Sequence, residues 1–192
     1  MPADPAGHHA GRIAVFLPSL EGGGAERSML NLVRGFLARG RTVDLVLCQA
    51  KGSLLGQEPE GATLVELEAT PGLPARLIAT LGDSRLFTAL LRPVLLAKKT
   101  APEIARLRSL QHYLKSRRPS VVLSALPYAN LVALWARDRC GSPVPVVISE
   151  RIAIHTYCTA PANARKWRWR YAPELIRRTY PGAAAVGTDS QL

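Results

Sequence analysis

The sequence lacks the cysteine pattern, the leader segment and the long apolar runs that mark several protein classes. Its three cysteines, Cys48, Cys140 and Cys158, stand far apart and include no C-x-x-C pair. A disulfide framework or a zinc site is therefore not expected, and a reducing cytoplasm fits best. Residues 1–11 have no basic start and no apolar stretch, so we expect a disordered tail there rather than a signal peptide.

Acidic residues are also scarce. The chain has 14 Asp and Glu against 25 Lys and Arg, which gives a formal charge of +11. This excess predicts attraction to anions, and nucleic acid, an anionic membrane and phosphorylated ligands all qualify. No run approaches the ~18 apolar residues of a membrane span, so we expect a soluble protein with at most peripheral membrane contact. A hydrophobic content of 47% predicts a packed core in one domain, residues 12–192.

Two standard phosphate-binding motifs are absent as well. The sequence has neither Gly-x-Gly-x-x-Gly nor the Gly-Lys-Ser/Thr ending of a P-loop, which disfavours NAD binding and ATP hydrolysis. It has instead a short apolar strand at residues 12–17, then Gly22, Gly23 and Gly24, then helical periodicity over residues 25–37. A helix that starts after three glycines presents free N–H groups and a partial positive charge, which predicts an anion site. A packing role for the glycines is the alternative.

The rest of the chain alternates apolar strands with helices. The predicted strands are residues 12–17, 42–48, 63–67, 120–124, 144–149 and 183–187, and the later helices are residues 102–117, 130–140 and 165–178. This alternation predicts an α/β fold, an open doubly wound Rossmann-like parallel sheet with helices on both faces. Ligands in such sheets bind beyond the carboxyl ends of the strands, so residues 22–24, 124–130 and 149–155 should share one rim.

Two basic segments are candidates for surface interactions. Residues 73–99 combine an apolar helical face with cations, which favours packing on the sheet over a membrane interface. Residues 165–171 interleave cations with aromatic residues, which suits lipid headgroups, phosphorylated sugars or single-stranded nucleic acid. The alternative for this second segment is a surface helix whose tryptophans face the sheet.

With these features the chain resembles the N-terminal domain of a GT-B glycosyltransferase of the large retaining family four. The resemblance covers about residues 12–190 and rests on residues 18–27, 118–122, 145–151 and 183–190, of which Gly-Gly-Ala-Glu-Arg at residues 23–27 is the most specific. It implies hexosyl transfer with retention, from a nucleotide-sugar co-substrate and with no metal or other cofactor. The implied donor-binding domain is not in this sequence, so we expect no catalysis by this chain alone.

The resemblance, the basic segments and the cysteine usage together suggest partners and a location. A lipid-linked or polysaccharide-type acceptor of the cell envelope is expected, in the cytoplasm and with peripheral contact at the inner face of an anionic membrane. A separate donor domain would be a further partner. Two other readings stay open: a non-catalytic sugar- or phosphate-binding module and, ranked last, a basic nucleic-acid-binding protein.

Carried over to this sequence, the resemblance gives two sets of site residues. The substrate- and phosphate-binding set is Gly22, Gly23, Gly24, Arg27, Tyr128 and Asn130, in which the glycines contact the donor diphosphate or the reacting acceptor group. The catalytic set is Glu150, Arg151 and His155. Arg151 stands where many relatives have a histidine, and it stays protonated, so it would bind phosphate or acceptor hydroxyls rather than act as a base. Glu150 would orient an acceptor hydroxyl, and His155 is the more distant base candidate.

Overall fold

A computed structural model describes residues 11–82, 84, 86–97 and 99–188. The strands within these residues are Ile13–Leu17 (β1), Val43–Leu47 (β2), Thr63–Glu66 (β3), Val121–Ala125 (β4), Val146–Glu150 (β5) and Ala185–Thr188 (β6). They form one all-parallel sheet in the order β3-β2-β1-β4-β5-β6. The predicted doubly wound parallel sheet is confirmed, and each strand lies within two residues of its predicted bounds.

Helices connect the strands. They are Gly24–Leu37 (α1), Gly72–Leu81 (α2), Phe87–Leu90 (α3), Leu107–Arg117 (α4), Pro127–Cys140 (α5), Ile154–Thr159 (α6), Pro161–Ala164 (α7) and Trp167–Thr179 (α8). The helix predicted from residue 102 begins as a 3-10 turn, Pro102–Arg106, before it becomes α4. Helix α5 starts three residues earlier than predicted because Pro127 suits a first turn, where no N–H donor is needed.

The two faces of the sheet are covered unequally. On one face, Val15, Leu17 and Leu45 pack against Met29 and Val33 of α1. The other face, which carries Ala14, Phe16 and Val46, lies under α2, α3, α4, α5 and α8. Since α1 and α5 lie on opposite faces, the chain winds away from the centre of the sheet in both directions.

The basic segment at residues 73–99 folds into α2, α3 and a π-helical turn, Leu91–Leu95. Ala79, Leu90 and Val94 are buried in the large core, so this face of the segment packs inside the protein, mainly against other helices. No helix in the described ranges is both long and apolar enough to cross a membrane. The predicted tail lies outside the described residues except for Gly11, as do residues 189–190 of the resemblance.

Candidate functional site

The loops predicted to share a rim, which follow β1, β4 and β5, lie on one edge of the sheet. Strands β1 and β4 are neighbours, and the chain leaves β1 toward β2 but leaves β4 toward β5. The glycine loop after β1 and the turn after β4 therefore meet where the winding reverses, and the loop after β5 follows next along the edge. Open α/β sheets bind ligands in the crevice at such a point.

The glycine loop is held by the segment that follows β2. The Leu20 amide donates to the Lys51 carbonyl at 2.9 Å, and the Leu54 amide donates to the Leu20 carbonyl at 3.0 Å. Gly22 has φ +102°, and a Cβ there would lie 2.4 Å from the Ser53 Oγ. Because an L side chain is disfavoured at this φ, glycine at this position is required by the backbone as well as by space.

The next two glycines are open to solvent. Gly23 caps α1 without a side-chain hydrogen bond, and Gly24 is its first residue. Among the described residues, none accepts a hydrogen bond from the amides of Gly22, Gly23 or Gly24. A Cβ on Gly24 would meet nothing within 4 Å. The loop thus offers uncovered amides at the positive end of a 14-residue helix.

Two charged side chains flank this helix start. Glu26 is buried, and its Oε2 lies 2.4 Å from where a Cβ on Gly23 would stand, so the carboxylate lies against one side of that glycine. Arg27 is exposed and lines a surface cleft of about 430 Å³ with Arg34, Ser53 and other side chains. The structure therefore places Glu26 at the helix start and directs Arg27 into a cleft beside the glycine loop.

Polar side chains at the end of β5 form a connected cluster. The Tyr180 hydroxyl donates to Glu150 Oε2 at 2.7 Å, and the Asn130 amide nitrogen donates to the Ser149 carbonyl and to the Tyr180 oxygen, both at 3.2 Å. Burial raises the pKa of Glu150, against which the Tyr180 hydrogen bond and nearby backbone amides act. Tyr180 was missed by sequence reasoning because it lies 30 residues from Glu150 in the chain.

Tyr128 and Asn130 lie beneath the rim rather than on it. The Tyr128 side chain is buried, its hydroxyl donates to the Arg168 carbonyl, and its ring meets Trp169 edge to face at 5.4 Å. Asn130 is fully buried, and its Oδ1 has no hydrogen-bond partner among the described residues. Their observed contacts are internal to the protein, and the acceptor contacts expected for them stay a prediction.

The remaining catalytic candidates follow β5 directly. Arg151 is half-buried, and its amide donates to Glu150 Oε1 at 3.2 Å. His155 is exposed in the first turn of α6. The structure thus joins Glu150 to Arg151 and leaves His155 at the surface of the same loop, and their catalytic roles stay predictions.

Two residues near this edge escaped sequence reasoning. Leu126, between β4 and α5, has φ +79° although it is not glycine, and such strain tends to occur at functional sites. Glu103, in the turn before α4, has a buried Oε2 with no hydrogen-bond partner in the described part of the chain. Burial raises the pKa of Glu103, while Arg168 and Arg106 oppose the shift. The sequence contained a hint for Leu126 alone, because it precedes Pro127 and a residue before proline avoids helical backbone.

The described residues contain no group of three or more His, Cys, Asp or Glu side chains placed to hold a metal ion. The polar groups gathered at this edge are backbone amides, arginines, the carboxylates of Glu26 and Glu103, and the Glu150 carboxylate with its tyrosine partner. These groups suit a phosphorylated or hydroxylated ligand. That no metal is required stays a prediction.

Comparison with solved structures bears on the fold. The chain aligns with MurG of Acinetobacter baumannii at a TM-score of 0.56 and 12% identity, over 94% of this chain and 42% of MurG, which shows the fold. A second structure, the calicheamicin glycosyltransferase CalG4, aligns at a TM-score of 0.45 and 17% identity, over 74% of this chain and 32% of CalG4. This chain therefore spans less than half the length of either enzyme. No curated protein matches it significantly.

A family model provides the more specific match. Residues 23–192 match the model described as a glycosyl transferase 4-like domain, and they include two of the three glycines, all of the later strands and the whole β5 edge. Together with the parallel sheet and its strand order, this match accounts for nearly the whole chain. The chain belongs to the glycosyl transferase 4-like family, as an N-terminal domain of the GT-B type.

Proposed function

We propose that this chain is the acceptor-binding half of a glycosyltransferase, one that moves a hexosyl group from a nucleotide-sugar to a lipid-linked or polysaccharide-type acceptor with retention. One observation carries the proposal. The uncovered amides of Gly22, Gly23 and Gly24 stand at the start of α1, at the edge where β1 and β4 adjoin. Family membership supports the transferase class.

The chemistry follows from where charge develops during transfer. When the bond between the sugar and the diphosphate breaks, negative charge grows on the leaving phosphate. Preorganised N–H donors and a helix N-terminus stabilise that charge without moving. Arg27 lies in the cleft beside the loop and adds a positive charge and N–H donors there. No metal ion is needed in this scheme.

The β5 edge would handle the acceptor. Glu150 is fixed by Tyr180 and by the Arg151 amide, so its carboxylate is positioned to accept a hydrogen bond from an acceptor hydroxyl. Arg151 would bind phosphate or hydroxyl groups, and His155 would be the base candidate. The location proposed for this reaction is the cytoplasmic face of an anionic membrane, and the excess of cations supports that location.

The proposed role of the glycine loop can be tested by adding a single methyl group at Gly24. Gly24→Ala adds a side chain that meets no protein atom, so the fold should stay intact while approach to the amides is obstructed. Titrated with inorganic pyrophosphate at low salt, the variant should bind about tenfold more weakly than the parent chain, the loss expected for one charge-assisted hydrogen bond. Gly35→Ala, on the same helix but near its other end, is the matched control and should bind as the parent does.

Equal pyrophosphate affinity for Gly24→Ala and the parent would overturn the proposed role of the loop.

A second assay distinguishes an acceptor-binding half from a complete enzyme. The purified chain should neither transfer sugar from nor hydrolyse a panel of radiolabelled nucleotide-sugars, and addition of EDTA should leave pyrophosphate binding unchanged. Turnover by the chain alone would contradict the proposal that it needs a donor domain.

A further inference from the structure

A second cavity of about 660 Å³ lies at the same edge of the sheet, on the α5 face. It is bounded by the segment after the π-helical turn and by the residues that start α8: Leu96, Ala97, Lys99, Arg165, Lys166, Trp167 and Arg168. Because α8 follows β5 and runs back along the sheet, its first turn stands at the carboxyl edge, where the glycine loop also lies. The glycine-loop proposal leaves this cavity unused.

The cavity combines bare apolar surface with one sign of charge. Leu96 is 59% exposed and Trp167 is 42% exposed, so both present apolar surface at the cavity. The charged residues among those that bound it are all cations. Arg168 keeps its Nε buried and, within the described residues, without an acceptor. Such a cavity suits a ligand that is apolar along its length and anionic at one end.

We propose that this cavity binds the phosphate end of an anionic lipid, with the phosphate between Lys99, Arg165 and Arg168 and the apolar chain along Leu96 and Trp167. If the cavity is the acceptor site of the transferase, the proposal rests on the function proposed above, and the acceptor is a lipid-linked phosphate. The claim that the cavity binds an anionic lipid depends only on the residues that line it.

The arrangement of the tryptophans favours a lipid over single-stranded nucleic acid. Stacking of successive bases needs several aromatic faces along a groove. Trp169 instead packs inward, edge to face with Tyr157 at 4.8 Å and with Tyr128 at 5.4 Å. Trp167 is left as the exposed aromatic residue of this lining, and one ring beside an exposed leucine suits an alkyl chain better.

The test is calorimetric titration of the whole chain with dodecyl phosphate below its critical micelle concentration. Replacement of Lys99 and Arg165 by glutamine should weaken binding at least about tenfold, because two charge-assisted contacts are lost. Leu96→Asn should weaken it less, since a partly exposed leucine is replaced. The matched control is the double variant Arg41→Gln and Lys115→Gln, two exposed cations outside the cavity, which should bind as the parent does.

Each alternative ligand gives a different result. If inorganic phosphate binds as tightly as dodecyl phosphate, the site is a simple anion site and the proposal fails. If neutral dodecyl maltoside binds as tightly, the charges are irrelevant and it fails as well. Binding of an oligothymidylate that the Lys99 and Arg165 changes abolish, with no effect on dodecyl phosphate, would assign the cations to nucleic acid.

This test and the pyrophosphate test are independent. Gly24→Ala should leave dodecyl phosphate binding unchanged, and the cavity variants should leave pyrophosphate binding unchanged. If Gly24→Ala binds pyrophosphate as tightly as the parent while the cavity variants lose dodecyl phosphate, the glycine-loop function alone is refuted. If the cavity variants keep dodecyl phosphate binding while Gly24→Ala loses pyrophosphate, the lipid site alone is refuted.

Discussion

The glycine loop after β1 and the polar cluster after β5 lie on one edge of the sheet and are built in opposite ways. The loop presents backbone amides and almost no side chains, and its outer two glycines are exposed. In the cluster, Asn130 is fully buried and is joined through Tyr180 to the half-buried Glu150. The loop offers open backbone amides, whereas the cluster holds the Glu150 carboxylate in place through buried partners.

This difference predicts which substitutions each region tolerates. A loop that binds through amides depends on backbone conformation and on free space, so any added Cβ matters there. A hydrogen-bonded cluster depends on the partner of each atom, because a buried polar group left unpaired costs stability. Substitutions in the two regions should therefore affect different properties, and the following four predictions test that separation.

The largest expected effect is on the cluster. Asn130→Ala removes the donors to Ser149 and Tyr180 and leaves a void, so the free energy of unfolding should fall by about 2–3 kcal/mol. Chemical denaturation followed by circular dichroism measures it. Asn31→Ala, an exposed asparagine of α1, should change stability by less than about 0.5 kcal/mol. Equal losses in the two variants would mean that the cluster is not a support.

The next effect is within the loop. Gly22→Ala forces an alanine to φ +102° and into contact with Ser53, and should lower the free energy of unfolding by about 1–3 kcal/mol. Gly24→Ala is the internal comparison and should not lower stability, because alanine is a better helix former than glycine. A Gly22→Ala protein that unfolds at the same denaturant concentration as the parent would contradict the strained loop conformation.

A smaller effect is expected from a single hydroxyl group. Tyr180→Phe keeps the ring but removes the hydrogen bonds with Glu150 and Asn130, and should cost about 1 kcal/mol. The same change should raise the pKa of Glu150 further, because in the parent protein the hydrogen bond from Tyr180 lowers this pKa and so opposes the effect of burial. Carboxyl chemical shifts measured during an NMR pH titration report the pKa directly. An unchanged Glu150 pKa would show that this hydrogen bond is absent in solution.

The smallest effect is on the pH dependence of stability. Burial raises the pKa of Glu150 above its ordinary 4.5, so the folded protein holds this proton more tightly than the unfolded chain does. Its contribution to stability is therefore full below pH 4.5 and is lost as pH rises through the folded-state pKa. As the pH rises through that pKa, the free energy of unfolding of Glu150→Gln should increase relative to that of the parent protein. Glu60→Gln, an exposed control, should show no such trend.

The strands and their alternation with helices were predictable from the sequence because they depend on local patterns. Each apolar run gave a strand, of which β1 is buried throughout, and the glycines gave the start of α1. Segment 73–99 was predicted less well. Its apolar spacing suggested a shared helical face at residues 87–95, whereas Pro93 lies in a π-helical turn there. A proline lacks the N–H of a regular helical bond, and local periodicity does not show how the chain adapts.

The candidate site was predictable as a set of loops but not as a set of contacts. Nothing in the sequence distinguished a side chain on the rim from one beneath it, so Tyr128 and Asn130 were expected at the surface and are buried. The same limit applies to the two tryptophans of α8, since Trp167 faces the cavity and Trp169 packs on Tyr128. Inward or outward direction is settled by the neighbouring elements, which come from distant parts of the chain.

The sequence by itself determined the α/β class, the parallel sheet and the three glycines at the first strand-to-helix turn, because hydrophobic periodicity and backbone freedom are local properties. The tertiary structure alone decided that β1 adjoins β4, that Tyr180 fixes Glu150, and that Leu96, Ala97 and Lys99 enclose one cavity with residues 165–168. These depend on contacts between residues far apart in the chain, which form only when helices pack on the sheet.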